Sequence, residues 1–203
     1  ADKRRLAALI TWLTLGVCHL AASEKDLLFH FDFSEPAGET SFDLSGNGLT
    51  ASVTASRIQG KGFGPAVLLD GSPAQRVVVN LQAEKKLGTA SFTASAWVCP
   101  STFAIDASQK MRRLFSIYDR WPKLVAIADC KESGSLAFSM SQDGGGGKRI
   151  GASVGLRNAL VVGRWAHLAI CCDRAALKLR LYRDGALEAE ADIPAECSGD
   201  FGN

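Results

Sequence analysis

The stretch GRWAHLAICCDRAALKLRLYRDGALEAEAD, residues 163–192, decides the fold. Its first part has an apolar residue at every second position, and a period of two predicts a strand with one apolar face. That face is made of Ala166, Leu168, Ile170 and Cys172. In the next strand, leucines alternate with basic or aromatic residues, and Asp184 and Gly185 then predict a hairpin turn into residues 187–192.

The charges predict the register of this hairpin. A two-residue loop would place carboxylates on the leucine face, where burial is costly. A three-residue loop, Arg183–Gly185, instead sets Arg180 opposite Glu188 and Lys178 opposite Glu190. We therefore predict the longer loop.

Short segments of similar pattern recur along the chain and are separated by turn residues. They predict strands at 27–33, 49–55, 66–70, 76–81, 92–99, 113–118, 124–128, 135–140 and 149–154. The chain has 203 residues and is 47% hydrophobic, which suits a single core. The expected fold is an all-β, antiparallel two-sheet sandwich.

Charge excludes two function classes. The net charge of +2 is carried by Lys3, Arg4 and Arg5 against Asp2, so the remainder of the chain is neutral. A binder of nucleic acid or of an anionic membrane would need a basic surface. We expect neither partner.

The first residues have the pattern of a secretory signal peptide. Basic residues precede an apolar run at 6–20, which is short for a bilayer span, and small residues follow. We predict a signal peptide at 1–22 and a mature domain at 23–203 that is secreted, periplasmic or at the cell surface, with no membrane span. The minority alternative is a lipoprotein modified at Cys18.

Export bears on the cysteines, because disulfides persist in oxidising compartments. Five of the six cysteines follow the signal peptide. We expect at least one disulfide among Cys99, Cys130, Cys171 and Cys197, without a choice of partners, and a buried free thiol at Cys172.

Four segments together resemble a known family. They are FDF with DLSGNG (31–33 and 43–48), GPAVLLDG (64–71), SFTASAWVCP (91–100) and GRWAHLA with LYRDG (163–169 and 181–185). Their order and spacing resemble the laminin G-like domains of the concanavalin A-like lectin and glucanase superfamily. The resemblance implies a jelly-roll sandwich, and a non-catalytic module that binds carbohydrate or a glycosylated cell-surface protein.

The resemblance also sets an expectation for the end of the chain. Family members finish with one or two further strands, one of which returns beside the first. Here the sequence stops at CSGDFGN, residues 197–203. The chain is then either a fragment or a sandwich with an open edge, and such an edge pairs with another chain as an edge-strand dimer.

Two other functions remain as alternatives. Related glucanases carry catalytic carboxylates in the order E-x-D-x-E, and Glu188, Glu190 and Asp192 alternate here in a different order. A glycoside hydrolase or polysaccharide lyase with a rearranged site is therefore one alternative, although carboxylates paired with cations are poor general acids. A purely structural domain of a surface protein is the other.

Ligand contacts are predicted in loops. The run DGGGGKR, 143–149, lacks the Ser or Thr and the helix of a phosphate-binding loop and predicts a flexible hairpin loop. Its Lys148 is a candidate ligand contact, as are Trp121 and Arg120 in another loop. We expect Trp97 and Trp165 to pack in the core.

A structural calcium ion is the one cofactor that the resemblance implies. Asp43, Asn47 and Asp70 supply oxygen ligands from loops, as calcium requires. The alternative is that Asp43 and Asn47 bond the backbone of their own turn. His30 and His167 are too few for a zinc site or a nucleophilic triad.

Overall fold

The computed structural model describes residues 8–16, 26–70, 72, 74–81, 87–103, 112–117, 125–130 and 134–201. These residues form strands and loops, and no helix among them is long and apolar enough to cross a membrane. The strands are β1 (Ala8–Gly16), β2 (Leu27–Phe31), β3 (Thr40–Phe42), β4 (Thr50–Val53), β5 (Ser56–Gly60), β6 (Gly64–Leu69), β7 (Val77–Val79), β8 (Phe92–Pro100), β9 (Arg112–Ile117), β10 (Val125–Cys130), β11 (Leu136–Asp143), β12 (Arg149–Leu156), β13 (Ala166–Asp173), β14 (Lys178–Arg183) and β15 (Ala186–Asp192).

The strands form three antiparallel sheets around one core. The first sheet has the order β15-β14-β13-β8-β1-β6-β5, with β2 paired to β1; the second is β12-β11-β10-β9 and the third is β3-β4-β7. Phe92 of β8 lies 6.5 Å from Phe138 of β11, ring centre to ring centre, so the second sheet packs across the first. Ala51 and Val53 bring the third sheet into the same cluster. The all-β, antiparallel prediction is confirmed.

The alternation in the sequence sets the inner face of the first sheet. Phe92, Ala94 and Val98 of β8 are buried, and so are all four residues predicted for the apolar face of β13. Leu179 and Leu181 of β14 are at most 1% exposed. Each buried leucine stabilises the fold by about 1.5–3 kcal/mol relative to exposure.

The predicted three-residue loop between β14 and β15 is wrong. Asp184 and Gly185 alone form the turn, with φ angles of 52° and 83°, and Arg183 pairs with Ala186. Two positive φ angles define the primed turn that matches the twist of a hairpin, and Asp-Gly favours it. The register then shifts, because Glu188 is an extra residue that forms a β-bulge.

The predicted charge pairs shift with the bulge. Arg180 lies opposite Glu190 rather than Glu188, and Lys178 lies opposite Asp192 rather than Glu190. The physical reason given for the longer loop still applies, since the carboxylates stay off the leucine face. The chain achieves this with one bulged residue instead of one additional loop residue.

The predicted strands are present, with ends that differ by a few residues, and three further strands were not predicted as such. β3 and β5 are short and only weakly alternating. β1 lies within the segment predicted to be a signal peptide; its backbone pairs with β8 on one side and with β6 and β2 on the other. Export and signal cleavage stay predictions.

The last described residues return to the core. Ile193, Cys197 and Phe201 are at most 3% exposed, and the amide of Phe201 donates to the carbonyl of Gly88 at 2.8 Å. The Arg174 guanidinium lies 5.9 Å from the centre of the Phe201 ring. This segment therefore closes one end of the core.

The described cysteines are buried. Cys99, Cys171, Cys172 and Cys197 are thiols outside any disulfide, as predicted for Cys172. The prediction of a disulfide among Cys99, Cys130, Cys171 and Cys197 is therefore wrong, since three of these four cysteines are not bridged. Burial raises the pKa of the Cys172 thiol to about 12. Cys171 is on the outer side of β13 yet only 2% exposed. The side chain of Cys130 lies outside the described part of the chain.

Candidate functional site

Four rings meet on the outer face of the first sheet, and we call them the aromatic cluster: Phe63, Trp97, Trp165 and His167. The Phe63 ring centre lies 4.6 Å from that of Trp97 and 4.5 Å from that of Trp165. Trp97 and His167 are register partners on β8 and β13, with ring centres 5.2 Å apart. All four side chains are half-buried, so they remain accessible from solvent.

The turn between β5 and β6 holds the cluster in place. The indole N–H of Trp165 donates to the carbonyl of Lys61 at 3.3 Å. Gly60 is buried beneath the ring, where a Cβ would lie only 2.8 Å from Cζ2 of Trp165. On the other side, the amide of Gly163 donates to the carbonyl of Pro100 at 2.8 Å. The position of the indole is therefore set by backbone on both sides.

His167 contributes an uncharged ring to the cluster. Burial lowers its pKa, and the nearby carboxylate of Asp184 opposes that effect without cancelling it. Asp184 also accepts from the amide of His167 at 2.9 Å and donates its own amide to the His167 carbonyl at 2.8 Å. A neutral imidazole offers one hydrogen-bond donor and one acceptor beside the indoles.

The prediction that Trp97 and Trp165 pack in the core is wrong. Both lie on the opposite side of the sheet from Phe92 and Val98 and are only half-buried. The alternation of β8 already placed Trp97 on the face away from the core, and this was the pattern that could have revealed the cluster. No sequence pattern around Phe63 predicted that its ring joins the aromatic cluster.

The carboxylates of β15 are all ion-paired. The pairs are Glu188 with Arg183 at 2.6 Å, Glu190 with Arg180 at 2.6 Å and with Lys178 at 2.9 Å, and Asp192 with Lys178 at 2.7 Å. Hydrogen bonds from Lys178 and then Arg180 lower the pKa of Glu190. A general acid must stay protonated near neutral pH, so Glu190 is unsuited to that role.

The loop predicted to hold calcium bonds itself through Asp43. Its Oδ1 accepts from the amides of His30 and Ser45, both at 2.8 Å, and its Oδ2 accepts from the Ser45 hydroxyl at 2.7 Å. Burial alone would raise the pKa of Asp43, but these hydrogen bonds lower it. Asp43 therefore fixes its turn and ties it to β2.

The other two predicted calcium ligands also bond nearby backbone. The side-chain amide of Asn47 donates through Nδ2 to the carbonyls of Leu27 at 2.6 Å and Leu28 at 3.1 Å. Asp70 accepts from the amide of Ser72 at 2.8 Å. Within the described residues, no three His, Cys, Asp or Glu side chains are grouped to hold a metal. The calcium site stays a prediction.

The predicted ligand contact Lys148 lies in the hairpin loop between β11 and β12. Its carbonyl accepts from the amide of Gly144 at 2.8 Å, its amide donates to Gly145 at 3.1 Å, and its side chain is exposed. The DGGGGKR run is thus a hairpin loop, as predicted. Trp121 and Arg120 lie outside the described residues.

Sequence reasoning missed a charged cluster around Arg57 of β5. The guanidinium donates to Glu35 at 2.9 Å, to the carbonyl of Thr40 at 2.7 Å and to the hydroxyl of Ser41 at 3.0 Å. The side chains of Arg57 and Glu35 are 10% and 16% exposed. Arg57 also borders an open cavity of about 440 Å³. Arg57 and Glu35 belong to no recognisable sequence motif, so their ion pair could not be predicted from the sequence.

The antiparallel sheets and the outer-face cluster define an all-β domain that presents a fixed aromatic surface. A laminin G-type family model, described as the concanavalin A-like lectin/glucanases superfamily, matches residues 73–202. The match covers more than half of the chain, so the chain belongs to this superfamily and carries a laminin G-like domain, as predicted. Such domains are typically extracellular, non-catalytic binding modules, although the superfamily includes glucanases.

Among solved structures, domains LG4-5 of the mouse laminin alpha1 chain are similar to this chain. The identity is 9% and the TM-score is 0.32, over 98% of this chain and 74% of that one. No curated protein matches the sequence.

Proposed function

We propose that this chain is an exported, non-catalytic module that binds carbohydrate, free or on a glycosylated cell-surface protein. The aromatic cluster is the observation that carries the proposal. It presents two indoles and a phenyl ring, half-exposed and fixed in position, on one sheet face.

The chemistry of the cluster suits a sugar ring. One face of a pyranose is made of C–H groups, which pack on an aromatic ring, and its hydroxyls need hydrogen-bonding partners. Aromatic side chains present large rigid surfaces and dominate many binding interfaces. The neutral imidazole of His167 lies beside Trp97 and supplies a donor and an acceptor for a hydroxyl.

The proposal also includes ligand contacts and an ion site in loops. Trp121, Arg120 and Lys148 are proposed as further ligand contacts. A structural calcium ion near Asp43, Asn47 and Asp70 is proposed as a stabilising ion rather than a reactive one.

The charged face of β15 favours binding over hydrolysis. An inverting or retaining glycosidase needs two carboxyl groups, one of them protonated. Each carboxylate of β15 instead has a cation within 2.9 Å. The hydrolase and lyase alternative would therefore need a site elsewhere in the chain.

Export completes the proposal. We infer that residues 1–22 direct secretion and are then removed, and that the mature domain acts outside the cytoplasm. Mass spectrometry of the secreted protein, which gives its N-terminal residue, tests this part separately from ligand binding.

A glycan array tests the ligand. We expect binding to one group of related sugars, and isothermal titration of the best sugar then measures Kd for variants. Trp165→Ala should weaken binding by about 2 kcal/mol, roughly thirtyfold, as for a central aromatic anchor. Phe42→Ala is the matched control, because Phe42 is an aromatic residue, 60% exposed, on another sheet.

Two outcomes would contradict the proposal. One is an array on which no sugar binds the folded protein, which would favour the purely structural alternative. The other is a Trp165→Ala variant that loses no more affinity than Phe42→Ala, which would place the ligand away from the aromatic cluster. Release of reducing ends from a polysaccharide would favour the enzyme alternative.

A further inference from the structure

The backbone of β1 occupies a central position in the first sheet. Along one side, Ala8–Gly16 pairs with β8 from Pro100 to Thr93. Along the other side, its first half pairs with Val67 to Leu69 of β6 and its second half with Leu27 to Phe31 of β2. One strand therefore joins three others.

Without β1, the described sheet separates into parts. In the strand order, β8 reaches β6 and β2 only through β1. Since paired strands lie about 4.8 Å apart, β8 and its two distant neighbours stand about 9.6 Å apart, the width of a single inserted strand. Both edges of that gap would present unpaired N–H and C=O groups.

The gap lies over the core. Phe31 of β2, Val67 of β6 and Val98 of β8 are each at most 1% exposed, and they flank it on both sides. A segment that fills the gap must therefore be extended and free of charge. The sequence of β1, ALITWLTLG, has no charged residue over nine positions. Near-continuous apolar composition is typical of a strand buried within a sheet.

We propose that the gap between β8 and the pair β6 and β2 is a strand-addition site. It takes an extended, uncharged segment of about nine residues, which is Ala8–Gly16 within this chain. Once residues 1–22 have been removed, it takes a similar strand from a partner. This second part rests on the export proposed above. Main-chain hydrogen bonds supply the affinity in such additions, and alternate side chains supply the specificity.

Hydrogen exchange on the intact chain is the first test. In protein produced in the cytoplasm, where residues 1–22 stay attached, we expect amides of residues 8–16 to exchange at least about a hundredfold more slowly than in the free peptide. Their protection should approach that of β8. Exchange as fast as in the free peptide, with β8 still protected, would overturn the proposal.

A second test opens the site in the full chain. Leu13 pairs with Phe31 and with Ala96, so Leu13→Pro removes a ladder hydrogen bond at the centre of β1. Ala22→Pro, beyond the end of β1, is the matched control. A synthetic peptide with the sequence of residues 8–16 and a lysine tail should bind the Leu13→Pro chain and raise its Tm. It should bind neither the unchanged chain nor the control.

Each result decides the matter. Unchanged Tm in Leu13→Pro together with no peptide binding refutes a strand-addition site. If that variant does not fold, hydrogen exchange on the intact chain decides alone. An uncleaved N-terminus in secreted protein would refute the removal of residues 1–22 but leave the site in place.

Discussion

Replacement of Gly60 by alanine tests whether the aromatic cluster is rigid. The added Cβ would lie 2.8 Å from Cζ2 of Trp165 and 3.1 Å from the carbonyl oxygen of Gly64. The indole cannot move away freely, because it stacks on Phe63 at 4.5 Å and donates to the carbonyl of Lys61. Either the ring or the β5–β6 turn must shift.

Two opposing effects set the change in the free energy of unfolding of Gly60→Ala. Overpacking of a fitted site costs about 1–3 kcal/mol. Loss of the glycine's freedom in the unfolded chain returns about 0.4–1 kcal/mol. We expect a net loss of about 1 kcal/mol, which lowers Tm by roughly 2–4 °C in a chain of this size. Affinity for the proposed carbohydrate ligand should fall as well, since a shift of either the Trp165 ring or the β5–β6 turn changes the aromatic cluster.

Urea unfolding followed by circular dichroism measures the stability, and tryptophan fluorescence reports the displaced ring. Gly155→Ala in β12 is the matched control: its Cβ would lie 3.4 Å from the carbonyl oxygen of Leu136, an ordinary contact. We expect no loss of stability there. Equal free energies of unfolding in the two alanine variants, with unchanged fluorescence, would refute the rigid cluster.

Three further predictions concern single side chains. Arg57→Leu should lower the free energy of unfolding in urea by about 2–3 kcal/mol, because it leaves the largely buried Glu35, 16% exposed, without its cation. The exposed control Arg157→Leu should cost little, and equal losses would contradict this prediction. The folded pKa of Asp43 lies below the usual 3.8, so its ionised form stabilises the fold above about pH 4 and this stabilisation is lost as the pH falls further. Asp43→Asn should therefore lose less Tm than the unchanged chain between pH 5 and pH 2, and parallel curves would exclude the effect. The Cys172 thiol has a pKa of about 12, so it is ionised in about one molecule in ten thousand at pH 8. Iodoacetamide should therefore label Cys172 only after unfolding. Peptide mapping that finds Cys172 labelled in the native state would contradict its burial.

The inner face of the first sheet could be predicted from the sequence because a period of two is a local property. Phe92, Ala94 and Val98 share a face whatever lies next to the strand, and the same holds for Leu179 and Leu181. Burial of these positions then follows from their apolarity.

The register of the last hairpin could not be predicted from charge alone. Two solutions keep the carboxylates away from the leucines, an additional loop residue or a bulge at Glu188, and both satisfy the electrostatic argument. The choice depends on the backbone twist at Asp184 and Gly185, whose positive φ angles fit a two-residue turn. The conformational preference of Asp184 and Gly185 therefore decides the register of this hairpin, and the charge pattern does not.

The aromatic cluster and the Arg57 cluster depend on tertiary contacts. Phe63 comes from a turn that lies 34 and 102 positions before its partners Trp97 and Trp165. Arg57 reaches Glu35 across two strands and a loop. The alternation of β8 places Trp97 on the outer face, but no local pattern shows which distant residues meet it there. The sequence therefore predicted the strands and not the two clusters.

The hairpin tip between β11 and β12 limits how recognition can evolve there. Gly145, Gly146 and Gly147 have φ angles of 83°, 60° and 78°, so an ordinary side chain at any of them costs roughly 1–2 kcal/mol. The glycines at the tip have no side chains, so the tip can offer a ligand only backbone amide and carbonyl groups. Mutations that adjust specificity in this part of the molecule are left to the residues at its base, Asp143 and Lys148.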